Sequence, residues 1–174
     1  MKKSFFTFLI VIFFLSNTAL SANNDSVLLT RKRDLGAIGR ELKEAILKQD
    51  AAVILKYVSR DGILCIDRVV QYGKVLKDLK DKSSWLYSYL FAPKEFGEKY
   101  KNPLRPMALK QYFNNTSDIQ IEVSFIEHKG KPNPDWGCIR YKSGSAQTNF
   151  VPELCFNFMN GKWFFSNSPY ICGG

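Results

Sequence analysis

One histidine and four cysteines bound the chemistry that this 174-residue chain can carry. A Ser-His-Asp or Cys-His system needs an imidazole base, and His128 alone could supply it. His128 follows Glu127 at the end of an alternating apolar–polar run and precedes Lys129-Gly130, where an exposed strand-end residue is the simpler reading. Centres built on several histidines are excluded by count. Cys65, Cys138, Cys155 and Cys172 stand 73, 17 and 17 residues apart with no C-x-x-C pair, which argues against a metal site. There is no G-x-S-x-G, phosphate-loop or dinucleotide pattern, so no cofactor is expected. Acids remain. Asp61, Asp67, Glu122, Glu127 and Glu153 could in principle pair as general acid and base at a cleft. Most read as turn formers or solvent-facing strand residues. Asp67, which follows the apolar Ile63-Leu64-Cys65-Ile66, is the one expected to point into a pocket.

A second group of residues offers binding rather than catalysis. Residues 73–110 hold nine lysines and arginines against four acids, a net +5, and the same stretch carries Trp85, Tyr87, Tyr89, Phe91, Phe96 and Tyr100. Lys74, Lys77, Lys80, Trp85 and Tyr87, with Asp67, are the candidate binding residues. Basic residues interleaved with aromatics can bind nucleic acid, but the leader described next argues against that partner. An anionic envelope surface or an acidic protein suits the charge better. The plainer alternative is a solvated lysine face over buried aromatics.

Met1-Lys2-Lys3 gives a positive start, Phe5–Leu15 is apolar except for Thr7, and Ala19-Leu20-Ser21 supplies small residues at the spacing a signal peptidase reads. This is the pattern of a cleavable secretory signal peptide over residues 1–21. A run of 11 residues is too short for a hydrocarbon core that needs about 20. No later segment is long and apolar enough to span, so no membrane span is expected after cleavage. The lysine-led, Phe- and Ile-rich leader has a bacterial look and implies a periplasmic or secreted product. Losing Lys2 and Lys3 lowers the net charge from +9 to +7. Export favours pairing of the four cysteines into two disulfides. Three pairings are open, and sequence alone does not choose among them. The preferred one joins Cys138 to Cys155 between neighbouring strands and Cys65 to Cys172 at the tail.

The elements that must position these residues follow from periodicity. Asn23–Thr30 lies in a loose leader spanning residues 22–33. Leu35, Ile38, Leu42, Ala45 and Ile46 then form one helical face. Asp50 can cap a second helix from Ala51, Asp61-Gly62 is a turn, and 63–66 is a short strand. Residues 73–113 read as a helical insertion. In it Ser83 or Ser84 caps Trp85–Phe91, Pro93 opens the next helix, and Pro106 opens one through Phe113 after a loop with Pro103. Ile119, Ile121, Val123 and Phe125 alternate with polar residues as a half-buried strand. A loop at 129–134 leads to a strand at 136–141, and Ser143-Gly144-Ser145 forms a turn. Asn160-Gly161 between apolar runs is a hairpin signal. It pairs residues whose numbers sum to 321, placing Phe156, Phe158, Trp163 and Phe165 on one face and Cys155 on the other with Glu153 and Asn157.

The order of elements is α+β. The stretch AILKQDAAVILKYVSRDG (Ala45–Gly62) and the final Asn160-Gly161-Lys162-Trp163 resemble the nuclear transport factor 2-like superfamily. The resemblance implies N-terminal helices packed on a curved antiparallel sheet of four to six strands, a cone enclosing an apolar pocket. It implies no particular activity, because that superfamily holds enzymes, binding modules and accessory domains, and none of its catalytic residues maps here. Residues 73–113 hold more helix than that fold places between its first strand and its main sheet.

Three functions remain in play. The first is an exported, non-catalytic binding or accessory protein of the cell envelope, taking an apolar small ligand, an acidic protein or an anionic surface. The second is a small pocket hydrolase or isomerase working through carboxylates. The third is an inhibitor or immunity-like protein whose partner is another exported protein.

Overall fold

The computed structural model describes residues 4–100, 107–144, 150–167 and 169–172. The expected face of the first helix is the one that docks: Leu35, Leu42, Ala45 and Ile46 of α1 (Ser4–Lys48) are buried and Ile38 is partly so. Between them Gly39 sits directly on the sheet. A Cβ there would come within 3.0 Å of Ile139 Cγ2 and 3.1 Å of Ile121 Cγ2. Across the same gap the buried hydroxyl of Tyr141 donates to the Gly39 carbonyl at 2.9 Å. Burial holds that hydroxyl protonated far above the ordinary tyrosine range. Tyr112 in turn donates to the Tyr141 carbonyl at 2.7 Å, tying the helix Leu109–Asn114 to the sheet.

The sheet runs β3 (Gln120–His128), β4 (Lys131–Lys142), β5 (Glu153–Met159) and β6 (Lys162–Phe165) in that order, all antiparallel. Asn160 and Gly161 take φ of 51° and 80° and make the β5–β6 hairpin, with Phe156 opposite Phe165 and Phe158 opposite Trp163. A second, two-stranded sheet pairs β1 (Ile63–Leu64) with β2 (Val69–Val70). It abuts the main sheet through a parallel bridge from Leu64 to Ser166 and the Asn167 N–H donating to the Leu64 carbonyl at 2.7 Å. The fold is α+β.

The connecting helices are short, and two of them are capped as their sequences indicate. Asp50 accepts from the N–H groups of Ala52 and Val53 at the start of α2 (Ala51–Lys56), and Ser84 accepts from Tyr87 N–H at the start of α4 (Trp85–Phe91). Helices α3 (Tyr72–Asp78), α5 (Pro93–Lys99) and α6 (Leu109–Asn114) fill the stretch between β2 and β3, and α7 (Pro169–Cys172) ends the described chain. Pro103, Pro106 and Ser145 lie outside the described residues.

Three expectations need correction. Residues 22–33 are not a loose leader but part of α1. Arg31 explains part of this, since its guanidinium lies 3.2 Å from the centre of the Phe158 ring and pairs with Asp135 at 3.3 Å. A polar leader gains order from a ring that local periodicity does not report. The loop at 129–134 is mostly strand. Lys129 and Gly130, at φ of 52° and 72°, turn the chain in two residues, and Pro132 pairs opposite Glu127. Proline is tolerated because, among the described residues, this end of β4 has no strand on its other side: pairing with β5 begins at Trp136. Strand β2, finally, was not expected at all, being only two residues long.

Helices α1 and α2 are held together by Tyr57, whose ring stands edge-on to Phe156 and Phe165 and whose hydroxyl donates to Glu41. That bond, with the Lys56 ammonium at 2.9 Å, holds the Glu41 carboxyl below its usual value of 4.5. A depressed folded-state value stabilises above the unfolded pKa, and the contribution is lost as pH falls through the folded one. Glu41→Gln is therefore expected to flatten the acid limb of the stability curve below about pH 4.5, measured by urea midpoints across pH. Arg31→Ala is expected to cost about 1 kcal/mol and to speed amide exchange in residues 26–33, while residues 42–48 stay protected.

Candidate functional site

Both disulfides are those preferred from the sequence: Cys65–Cys172 and Cys138–Cys155, and the described chain has no free cysteine. They do different things. Cys138 and Cys155 are directly opposed on β4 and β5, on the face away from α1, so their bond reinforces a pairing the ladder already makes. Glu153 lies close to both sulfurs, but these are spent on each other and offer no metal ligand. Cys65–Cys172 joins the β1–β2 hairpin to α7, across 107 residues of sequence.

The hairpin is tight. Gly62, at φ +97°, starts it, and a Cβ there would come within 2.5 Å of the Val70 carbonyl oxygen, so only glycine fits. Ile63 faces Val70, Leu64 faces Val69, and the Cys65 N–H donates to the Arg68 carbonyl at 2.8 Å. Ile66 and Asp67 are thus the two outermost residues of the turn. Asp67 does not point into a pocket as expected; its side chain is 74 % exposed, 3.9 Å from the Arg68 guanidinium. The apolar run before it ends in a turn, which reverses the chain before the alternation can carry Asp67 inward.

Behind the hairpin lies an open cleft of about 580 Å³, lined by Arg68, Val69, Lys74, Lys77, Trp85 and Cys172 among others. Three of the candidate binding residues, Lys74, Lys77 and Trp85, are brought together here. Trp85 stands edge-on to Phe96 and Tyr100 and stacks on Tyr89, so the cleft wall backs onto the aromatic cluster. Arg68, which the sequence did not single out, donates from Nη2 to the Cys172 carbonyl at 2.6 Å and closes the staple. The acids of the cleft are engaged. Asp78 pairs with Lys74, and Asp81 accepts from the Ser83 hydroxyl and N–H, bonds that hold its carboxyl below the usual range.

The other candidates fall elsewhere. Tyr87 packs edge-on to Phe91 and lines a separate, smaller cleft with Lys82 and Lys110; Lys80 is exposed and lines neither. Tyr89, Phe91 and Phe96 are buried, so much of the basic stretch is a lysine face over a closed aromatic core. Among the acids considered for catalysis, Glu122 and Glu153 lie in one cross-strand row with Arg140 between them, paired respectively with Lys142 and Arg140. Asp61 is exposed beside Gly62, and Glu127 and His128 are exposed at the β3–β4 turn.

The chain matches no protein-family model, no curated protein and no solved structure.

The two bonds close loops of very different length, with separations of 107 and 17 residues. By loop-closure entropy the Cys65→Ala/Cys172→Ala pair is expected to lose about 4 to 5 kcal/mol and Cys138→Ala/Cys155→Ala about 3, as read from urea unfolding without reductant.

Proposed function

We propose that this is an exported, non-catalytic binding or accessory protein of the cell envelope, which engages an anionic partner at the cleft behind the stapled hairpin. The observation that carries the reading is the convergence of Arg68, Lys74, Lys77 and Trp85 on one cleft whose wall is fixed by a disulfide. Export is supported by the charged, then apolar, then small-residue leader together with two disulfides, a bond type that persists in oxidising compartments. Among the described residues no helix is long and apolar enough to cross a membrane.

Carboxylate catalysis finds less support. General acid–base work needs two acids held apart in pKa at one cleft, whereas Asp78 is tied to Lys74 and Asp81 to Ser83. The superfamily resemblance would place a ligand between helix and sheet. That interface is occupied here by Leu35, Leu42, Ile46, Ile139 and Tyr141, so the reading puts the ligand outside it.

The test combines identity and charge. Intact mass of protein purified from its own compartment is expected to match a chain beginning at Ala22 and lacking four cysteine hydrogens. Lys74→Glu/Lys77→Glu/Lys80→Glu is expected to abolish salt-sensitive association with the envelope fraction; unchanged association and salt dependence would overturn the reading.

A further inference from the structure

The solvent face of the β1–β2 hairpin is aliphatic. Leu64 and Val69 are directly opposed and 53 % and 45 % exposed, and Ile66 at the apex is 94 % exposed. Three large apolar side chains in six residues, held outward by a closed turn, are an unusual use of surface. The flanking charge is basic. From Arg68 to Lys82 the chain carries Arg68, Lys74, Lys77, Lys80 and Lys82 against Asp78 and Asp81. Asp67 is the one acid at the apex, with Arg68 beside it. Val69 and Arg68 belong both to the hairpin and to the cleft wall, so the apolar tip and the lysines form one continuous surface.

We infer that this surface docks on an anionic lipid bilayer, with Ile66, Leu64 and Val69 entering the headgroup–acyl boundary and Arg68, Lys74 and Lys77 meeting lipid phosphates. The inference deepens the proposed function by naming the anionic partner, and it rests on that reading. Two features favour lipid over a protein partner. The tip is convex and offers aliphatic side chains without the aromatic anchors that dominate protein hot spots. An apolar wedge with a basic collar matches the layering of a bilayer surface, acyl chains beneath phosphates, and needs no shaped pocket. The staple adds pre-organisation. Arg68 is held to the Cys172 carbonyl and Cys65 to Cys172, so the tip loses little freedom on entering the interface.

The experiment is flotation of the protein, purified from its own compartment, with vesicles of phosphatidylcholine alone or with 30 mol % phosphatidylglycerol. Binding to the anionic vesicles only, weakened by salt, is the expected result. Ile66→Asp should lower the partition coefficient about tenfold or more, and Lys74→Gln/Lys77→Gln about fivefold per lysine. Met159→Asp, on the exposed tip of the β5–β6 hairpin, should leave it unchanged. Equal binding to both vesicles, or no effect of Ile66→Asp in a variant whose disulfides are intact, overturns the inference. Absence of vesicle binding, with the lysine-dependent envelope association retained, also overturns it and points to an acidic protein, leaving the broader reading in place.

Discussion

The bond between Cys65 and Cys172 is the constraint on which the surface described here depends. The β1–β2 hairpin is two residues to a strand; among the described residues it meets the main sheet through a bridge at Ser166, a hydrogen bond from Asn167 and the fully buried Ile63. A ladder that short does not hold its place alone in water. The disulfide fixes it to α7 across 107 residues of sequence, and Arg68 follows by reaching the Cys172 carbonyl. Turn, cleft wall and cationic rim are then positioned together. The Cys138–Cys155 bond has no such reach, because β4 and β5 already hold those residues opposite each other.

The rest of the molecule supplies a rigid base. The stripe of α1 meets the sheet at Gly39, where the backbone comes close enough for Tyr141 to bond across, and the apolar interior is occupied by side chains. A filled interior leaves recognition to the outside. The aromatic residues of the helical middle serve the same base, with Tyr89 and Phe96 buried and Trp85 reaching the cleft. Structure and proposed function therefore meet at a surface, where exposed aliphatics and lysines stand side by side.

What was legible in the sequence was local. Asp50 and Ser84 cap the helices they precede because the next N–H groups need an acceptor, and Asn160-Gly161 fixes a register that then assigns every side chain of two strands to a face. The same alternation put Cys155 on the outer face, where the structure sets it opposite Cys138. What was not legible depends on residues far away in sequence. Arg31 anchors residues 22–33 of the helix through Phe158, Val69 becomes a strand only because Leu64 is there, and Pro132 is allowed in β4 because β5 has not yet begun beside it. At the site, Lys74, Lys77 and Trp85 carried a compositional signal. Ile66 and Arg68 carried none: an apolar residue next to a buried cysteine reads as core, and only the turn shows that it faces out.

If the Cys65–Cys172 bond holds the hairpin in place, amide hydrogen exchange on the Cys65→Ala/Cys172→Ala variant will show it. Fast exchange is expected across residues 63–71 and 169–172, with residues 120–142 and 153–165 protected as in the unaltered protein. Unchanged protection across residues 63–71 would contradict it, since the hairpin would then hold its place without the bond.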